Sequence, residues 1–586
     1  MATRLPPVDA LMVGFGWTGA IMAQQLTDAG LEVLALERGG WRDTPTDFPT
    51  THAQDELRYY WRHEMFQAEN RTTVSLRNRD DQTARPMRRW GSFLPGTGVG
   101  GSGVHWNGLT WRFLPSDFAT RSHNEERYGP LREEMTVQDW PVSYDDLEPH
   151  YDAFEKLCGI GGVAGNLRGE IQPGGNPHEG PRSDPYPNPP MHMTFSQERF
   201  RASAEALGMT AFPAPSANMS RAYENPLGCQ LAPCSYCGFC EKYGCGNYSK
   251  ATPQTTILPV LMRKPNFTLR TEAEVLRIER TPDGRHATGV TFLDARGEEY
   301  FQPAEMVVLC AYPLENTRLM MLSGIGEVYD PATGQGQLGR NYCYQVMSGV
   351  DVFFEDDYTN GFVGAGALAM VVDDFNGDNF DHSGLDFIHG GYLSCSTTNA
   401  RPIENQPVPE GTPRWGAKFK AALAENFLKK TSVGVHGGSM AWRTNRLDLD
   451  PTYRDHLGRP ILRMTYDFTP QDLAMSEWVT DKAMQVAQGM GGKTVERNGR
   501  DAPYDSMPYQ TTHNTGGTIM GATPGDSVIN RYLQSWQVSN LFLMGAGAFP
   551  QNAGYNPTDT VGALTYWSAK AIVDDYLRAP GPMVDA

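Results

Sequence analysis

The sequence predicts an α/β fold that begins with a Rossmann-like dinucleotide-binding unit. Two observations carry the prediction. The first is at the N-terminus, where Asp9 to Val13 is an apolar strand-like run, followed by Gly14-Phe15-Gly16-Trp17-Thr18-Gly19, the helical pattern AIMAQQLTDAG closed by Gly30, and a second strand LEVLALE ending in Glu37. Strand, glycine turn, helix and strand, with an acid 21 residues after Gly16, is the order in which a dinucleotide is bound. The second observation is Thr268 to Tyr300, whose strand patterns are punctuated by Pro282-Asp283-Gly284 and Arg296-Gly297, which predicts an antiparallel meander. At 586 residues the chain is expected to divide into two or more substructures.

Each part of the first unit has a physical task. Gly14 makes the tight turn, Gly16 lets backbone approach a pyrophosphate, and Gly19 lets the helix pack on the sheet. The helix N-terminus offers N–H donors and a positive dipole end to phosphates, while Glu37 can accept from a ribose hydroxyl. The alternative is a glycine-rich turn without a ligand.

Composition narrows the function. Apolar content of 40% with 62 glycines describes a folded, turn-rich enzyme. A net charge of -18 speaks against nucleic acid and against anionic membranes, both of which the surface would repel. No apolar run is long enough to span a membrane, and the N-terminal run enters a glycine turn directly, so it reads as a buried strand and not as a signal peptide. Export would then need a partner's signal, since Arg88-Arg89 lies too deep in the chain for a twin-arginine leader. The Pro/Gly-rich stretch Gly169 to His192 predicts an exposed arm or loop, and Leu447 to Phe468 alternates like sheet. Tyr59, Tyr60 and Trp61 read as packing.

The stretch GTGVGGSGVHWNGLTWR packs five glycines between Gly96 and Gly103, as backbone must where it passes a large flat ligand. Here the sequence resembles the glucose-methanol-choline (GMC) flavoprotein oxidoreductases, which place such a loop against the FAD isoalloxazine. VVLCAYPLENTRLMMLSGIG, Val307 to Gly326, is similar to the family's second signature, departing at Glu315-Asn316, and HNTGGTIMG and NLFLMGAGAFPQNAGYNPTDTVGALTYWSAKAI continue the likeness. The resemblance implies two interleaved domains: an FAD-binding domain from residues 1 to 115, 225 to 345 and 505 to 586, and a substrate domain, built on an antiparallel sheet with helices, from 116 to 224 and 346 to 504. It implies flavin contacts at Gly100, Gly101, Asn107, Val275 and Gly547, and a covalent bond from His105 to the flavin 8α-methyl. A hydrogen-bonded loop histidine is the plainer reading of His105. Where the family often has an aspartate, this chain has Gly545-Ala546-Gly547.

Alcohol oxidation by a flavin needs a base for the hydroxyl proton and a second polar group to hold the same oxygen. His513 and Asn556, 43 residues apart, match the family's catalytic histidine and its partner, so the resemblance implies His513 as base and Asn556 as orienter.

Five of the nine cysteines fall between Cys229 and Cys245. Disulfides, a structural zinc, core packing and an iron–sulfur cluster compete for them; the close run Cys234, Cys237, Cys240, Cys245 suits a cluster, with Cys229 outside it. This run is similar to the flavoprotein subunits of membrane-associated gluconate 2-dehydrogenases and their 2-ketogluconate, sorbitol, fructose and glucoside 3-dehydrogenase relatives. The resemblance implies a three-iron in preference to a four-iron cluster, a small subunit carrying an export signal, a membrane-anchored multihaem cytochrome c subunit, and placement on the periplasmic face of the inner membrane, with the cytoplasm as the alternative. It implies oxidation of gluconate at its 2-hydroxyl; the carboxylate calls for an arginine or lysine in the pocket, and arginines of the 401 to 446 region are available. An oxygen-using sugar oxidase and a zinc-holding, non-redox binding module are the rival readings.

Overall fold

A computed structural model describes residues 2–48, 74–87, 93–398, 405–506 and 511–585. Tyr59, Tyr60, Trp61, Arg88 and Arg89 lie outside the described residues. The first sheet runs Phe267–Arg270, Val33–Leu36, Val8–Val13, Glu299–Leu309, Ala287–Leu293, Glu274–Arg280, with Leu541–Leu543 and Thr3–Arg4 also paired on Glu299–Leu309. Its central strands are parallel and buried on both faces: Ala10, Leu11, Met12, Val307, Val308 and Leu309 are fully enclosed. Their carboxyl ends carry Gly14 and Cys310, at the edge where open α/β sheets bind ligands.

The expected meander is present from Glu274 onward, turning at Gly284 and Gly297, both in the left-handed region. Its first stretch departs from expectation. Phe267–Arg270 pairs parallel to Val33–Leu36, because its apolar residues complete the edge of the dinucleotide sheet.

The second sheet is antiparallel: Thr494–Asn498, Val346–Phe353, Lys430–Gly437, Gly391–Ser396, Ala369–Val372, Ala211–Pro213. Helix Pro470–Gly489 packs on it, opened by a Thr469 cap that accepts from Asp472 N and answered by the Asp472 carboxylate on Thr469 N. Leu447 to Phe468 forms the hairpin Arg446–Arg454 and Pro460–Thr465, which joins Val74–Arg77 in a separate small sheet.

The expected arm or loop is exposed at Glu170, Ile171, Pro173 and Pro185 but fastened at points along it. Arg182 is buried and its guanidinium bonds Glu155 of helix Tyr144–Cys158, as does Arg112 at 2.8 and 2.9 Å. Asn176 and Asn188 are also buried. Apart from Glu170–Ile171, which pairs with Asn166–Leu167, the segment is irregular, yet proline and glycine do not prevent burial and the ion network holds it down.

Candidate active site

A cavity of about 640 Å³ runs from the glycine turn to His513. At the turn, Gly14 has φ +97°, and a side chain there would collide with the Cys310 carbonyl at 2.7 Å. Gly19 is equally constrained, since its Cβ would lie 2.3 Å from the Gly14 carbonyl oxygen. Gly16 is different: its Cβ would meet nothing closer than 3.9 Å, so the backbone faces open space. Glu37 accepts from Phe15 N, Gly39 N and Gly98 N at 3.0, 2.8 and 3.2 Å. Burial raises its carboxyl above the usual range in spite of these donors. The indole Nε1 of Trp17, on the wall, has no partner among the described residues, as expected of a donor that meets a ligand. An open backbone at a helix N-terminus, an acid beyond the next strand and an orphaned donor fit a dinucleotide such as FAD.

The glycine loop is strained in the way its sequence requires, with Gly98, Gly100 and Gly101 all at positive φ. Gly101, Asn107 and Val275 lie on the wall. Gly100 and Gly547 stand just behind it, their missing side chains replaced by Gln254 and by Thr518. His105 faces the cavity, with Nε2 3.1 Å from the Leu94 carbonyl. Burial, with the charges of Lys250 and Lys242, lowers its pKa to about 3, so the ring is neutral at physiological pH. Asn107 Oδ1 accepts from Leu109 N at 3.0 Å. The departure at Glu315-Asn316 has a local reason: Asn316 bonds Ala311 N, Leu309 O and Met544 O and so ties the strand end to the loop beyond it.

His513 and Asn556 meet. Asn556 Nδ2 lies 3.2 Å from His513 Nε2, and Asn556 Oδ1 accepts from Tyr392 OH at 2.9 Å. The other ring nitrogen, Nδ1, contacts Gln345 Oε1. Gln345 Nε2 in turn donates to the Gly554 carbonyl at 2.5 Å, which fixes Oε1 as the acceptor. The proton therefore resides on Nδ1, and Nε2 keeps its lone pair toward Asn556 and the cavity. Burial, then neighbouring His436, lowers the His513 pKa to about 3, so it is held as a neutral base.

Sequence reasoning missed Gln345, Tyr392 and His436. His436 had a signal, since strand alternation in TSVGVHG sets it opposite Val433 and Val435. It stacks on Tyr392 with ring centroids 4.5 Å apart. Gln345 and Tyr392 had none; they reach the site by strand pairing beside Asn514 and beside His436. Of the four 401 to 446 arginines, Arg414 is exposed, Arg443 pairs with Glu133 and Arg446 with Asp80, and none of these three lines the cavity; Arg401 is outside the described residues. The cation on the wall beside His105 is Lys242.

The cysteine segment forms an irregular turn directly behind this wall. Lys242 N donates to the His105 carbonyl at 2.8 Å. Tyr236, Lys242 and Tyr248 hold positive φ without being glycine, the kind of local strain kept where function needs it. All nine cysteines are free, which leaves the disulfide reading without a pair. Burial and each other's proximity push Cys234 up to about 12; burial pushes Cys240 up to about 11 and raises Cys237. Cys229 stands apart, in the turn after Tyr223–Glu224 and influenced by Arg263. Among the described residues no three of the sulfurs converge within 4.8 Å. A single zinc would need them about 3.8 Å apart, from Zn–S bonds near 2.3 Å. Thiolates bound to different irons of one cluster stand farther apart.

Comparison with known proteins agrees with this geometry. Residues 191–347 and 442–565 match the N- and C-terminal models of GMC oxidoreductases. The gluconate 2-dehydrogenase flavoprotein of Pantoea cypripedii is 46% identical over 100% of this chain and 97% of its own. The fructose dehydrogenase large subunit of Gluconobacter japonicus is 26% identical, covering 98% and 99%. Among solved structures, pyridoxine 4-oxidase from Mesorbium loti superposes with TM-score 0.59 at 16% identity over 96% and 98% of the chains. A formate oxidase variant from Aspergillus oryzae gives 0.61 at 15% over 98% and 100%. At such identities the structures show a shared fold alone. Among the described residues no helix is long and apolar enough to cross a membrane.

Proposed function

The chain belongs to the GMC oxidoreductase family and is an FAD-dependent oxidoreductase of CH–OH groups; from that premise we propose that it oxidises the 2-hydroxyl of D-gluconate to 2-dehydro-D-gluconate. The observation that carries the chemistry is the His513–Asn556 pair, in which the Nε2 lone pair and the amide donor meet at the cavity wall, where a substrate hydroxyl can take the place of their mutual contact. A substrate hydroxyl placed within reach of both atoms donates its proton to His513 Nε2 and accepts from Asn556 Nδ2. Gln345 stabilises the resulting imidazolium through Nδ1–H, and Tyr392 keeps the Asn556 amide turned the right way. When bound, FAD supplies the acceptor for the hydride that leaves carbon.

Gly14, Gly16, Gly19 and Glu37 would hold the adenosine and pyrophosphate; Gly100, Gly101, Asn107, Val275 and Gly547 would shape the site of the ring system. His105, neutral and on the wall, is the residue for a covalent tether. Cys234, Cys237, Cys240 and Cys245 would carry an iron–sulfur cluster, a reading supported by the mutual influence of the four thiols in one short turn. The cluster would pass electrons to a membrane-anchored cytochrome c subunit, with a small subunit carrying the export signal to the periplasm. That partnership is supported by the names of the relatives, one a flavoprotein and one a large subunit. Lys242, on the cavity wall, would be the cation for the substrate carboxylate, the lysine form of the expected arginine or lysine.

The test is a panel of gluconate, 2-ketogluconate, sorbitol, fructose and glucosides with a dye acceptor. Gluconate is expected to react fastest, and a preference for neutral glycosides defeats the substrate assignment. Acid-precipitated protein is expected to stay yellow and His105→Ala to lose the colour; retained colour in the variant refutes the tether.

A further inference from the structure

We propose that Lys250 is a fixed buried cation that raises the reduction potential of the cluster held by Cys234, Cys237, Cys240 and Cys245, an inference that rests on the cluster reading above. Lys250 is 1% exposed. Its Nζ donates to the carbonyls of Trp106, Cys240 and Tyr243 at 2.7, 3.0 and 2.8 Å. An ammonium has three N–H bonds, and all three are used on oxygen. A neutral amine would turn a lone pair onto one of those carbonyls, so the site is built for the charged form.

What the site lacks is a counter-charge. Four other cations are comparably buried, and each has a carboxylate: Arg112 and Arg182 share Glu155, Arg318 has Asp455, and Arg446 has Asp80. Among the described residues Lys250 has none. Carbonyl dipoles satisfy its hydrogen bonds but leave its net charge, and a buried charge without a partner is costly. Its Nζ is held against the carbonyl of Cys240 and against that of Trp106, the neighbour of His105, so its charge lies at the cysteine turn. An anion bound by thiolates is the missing partner. The ammonium also spans from the Cys240 carbonyl to that of Trp106, beside His105, so it stands between the two redox sites. A reduced cluster carries one more negative charge than an oxidised one, and a nearby cation favours it.

Two variants separate charge from tethering. Lys250→Gln keeps two donors for the carbonyls without the charge, and Lys250→Arg keeps the charge. Iron and acid-labile sulfide per flavin and a spectroscopic redox titration are measured on the holoenzyme. Lys250→Gln is expected to shift the cluster toward its oxidised form by about tenfold, about 59 mV for one electron, with Lys250→Arg close to wild type. Loss of iron in the Gln variant alone also supports the inference, as charge-dependent assembly. If the two variants behave alike, through unchanged potential or common loss of iron, the inference fails while the cluster reading stands. Wild-type protein without iron removes both.

Discussion

The His513 end of the cavity and the cysteine turn behind it handle buried polar groups in opposite ways. His513 has both ring nitrogens engaged, Asn556 is oriented by Tyr392, and Gln345 is oriented by a backbone carbonyl. The protein alone sets the tautomer. In the cysteine turn Cys240 Sγ lies 3.8 Å from Asn218 Oδ1 and Cys245 Sγ 3.5 Å from Ser249 Oγ, and Lys250 adds a charge that no carboxylate among the described residues balances. On the proposed reading, the site for proton chemistry is complete before substrate arrives, whereas the cysteine turn would be electrically balanced only with its cluster in place.

Breaking the complete site should have the largest effect. His513→Ala removes the base and is expected to lower turnover by about 10²- to 10⁴-fold with flavin content unchanged, as read by dye reduction and absorbance. Breaking the unfinished site should separate the two halves of the reaction. In Cys237→Ser, anaerobic flavin bleaching by substrate is expected to stay within about threefold while iron content drops and delivery to a c-type cytochrome falls by more than about tenfold; equal loss of both would place the cysteine in the substrate reaction. Gln345→Leu leaves Nδ1–H without its acceptor and should cost about 10- to 100-fold in kcat, the equivalent of roughly 1.5–3 kcal/mol. Here Gln345→Glu should recover part of the rate. The smallest expected effect is a flat profile. With the His513 pKa near 3, the lone pair is present throughout the neutral range and is lost only as pH falls toward 3. Flavin reduction should change by less than about twofold between pH 5 and 7, and an acid limb near 6.5 would show that the base is less buried than it appears.

The first strand, the glycine turn and the family were legible in linear order because they depend on residues close in sequence: φ at Gly14, the open face at Gly16, the reach from Gly16 to Glu37. His513 and Asn556 were legible only through their flanking motifs. Arg182, in a segment whose composition signals an exposed loop, is buried because Glu155 lies across from it, and Arg443 and Arg446 of the 401 to 446 region pair with Glu133 and Asp80 away from the cavity.

By itself, the amino-acid order determined the dinucleotide turn, the crowding of thiols and the two polar groups fit for alcohol oxidation, since local backbone sterics and side-chain chemistry travel with the residues. Only the folded chain decided which nitrogen of His513 keeps its lone pair, that Gln345 and Tyr392 enforce it, and that Lys250 is enclosed with no carboxylate partner among the described residues. Those properties arise from charges and donors brought together across hundreds of residues, and an electric field depends on distance in space, to which position along the chain is blind.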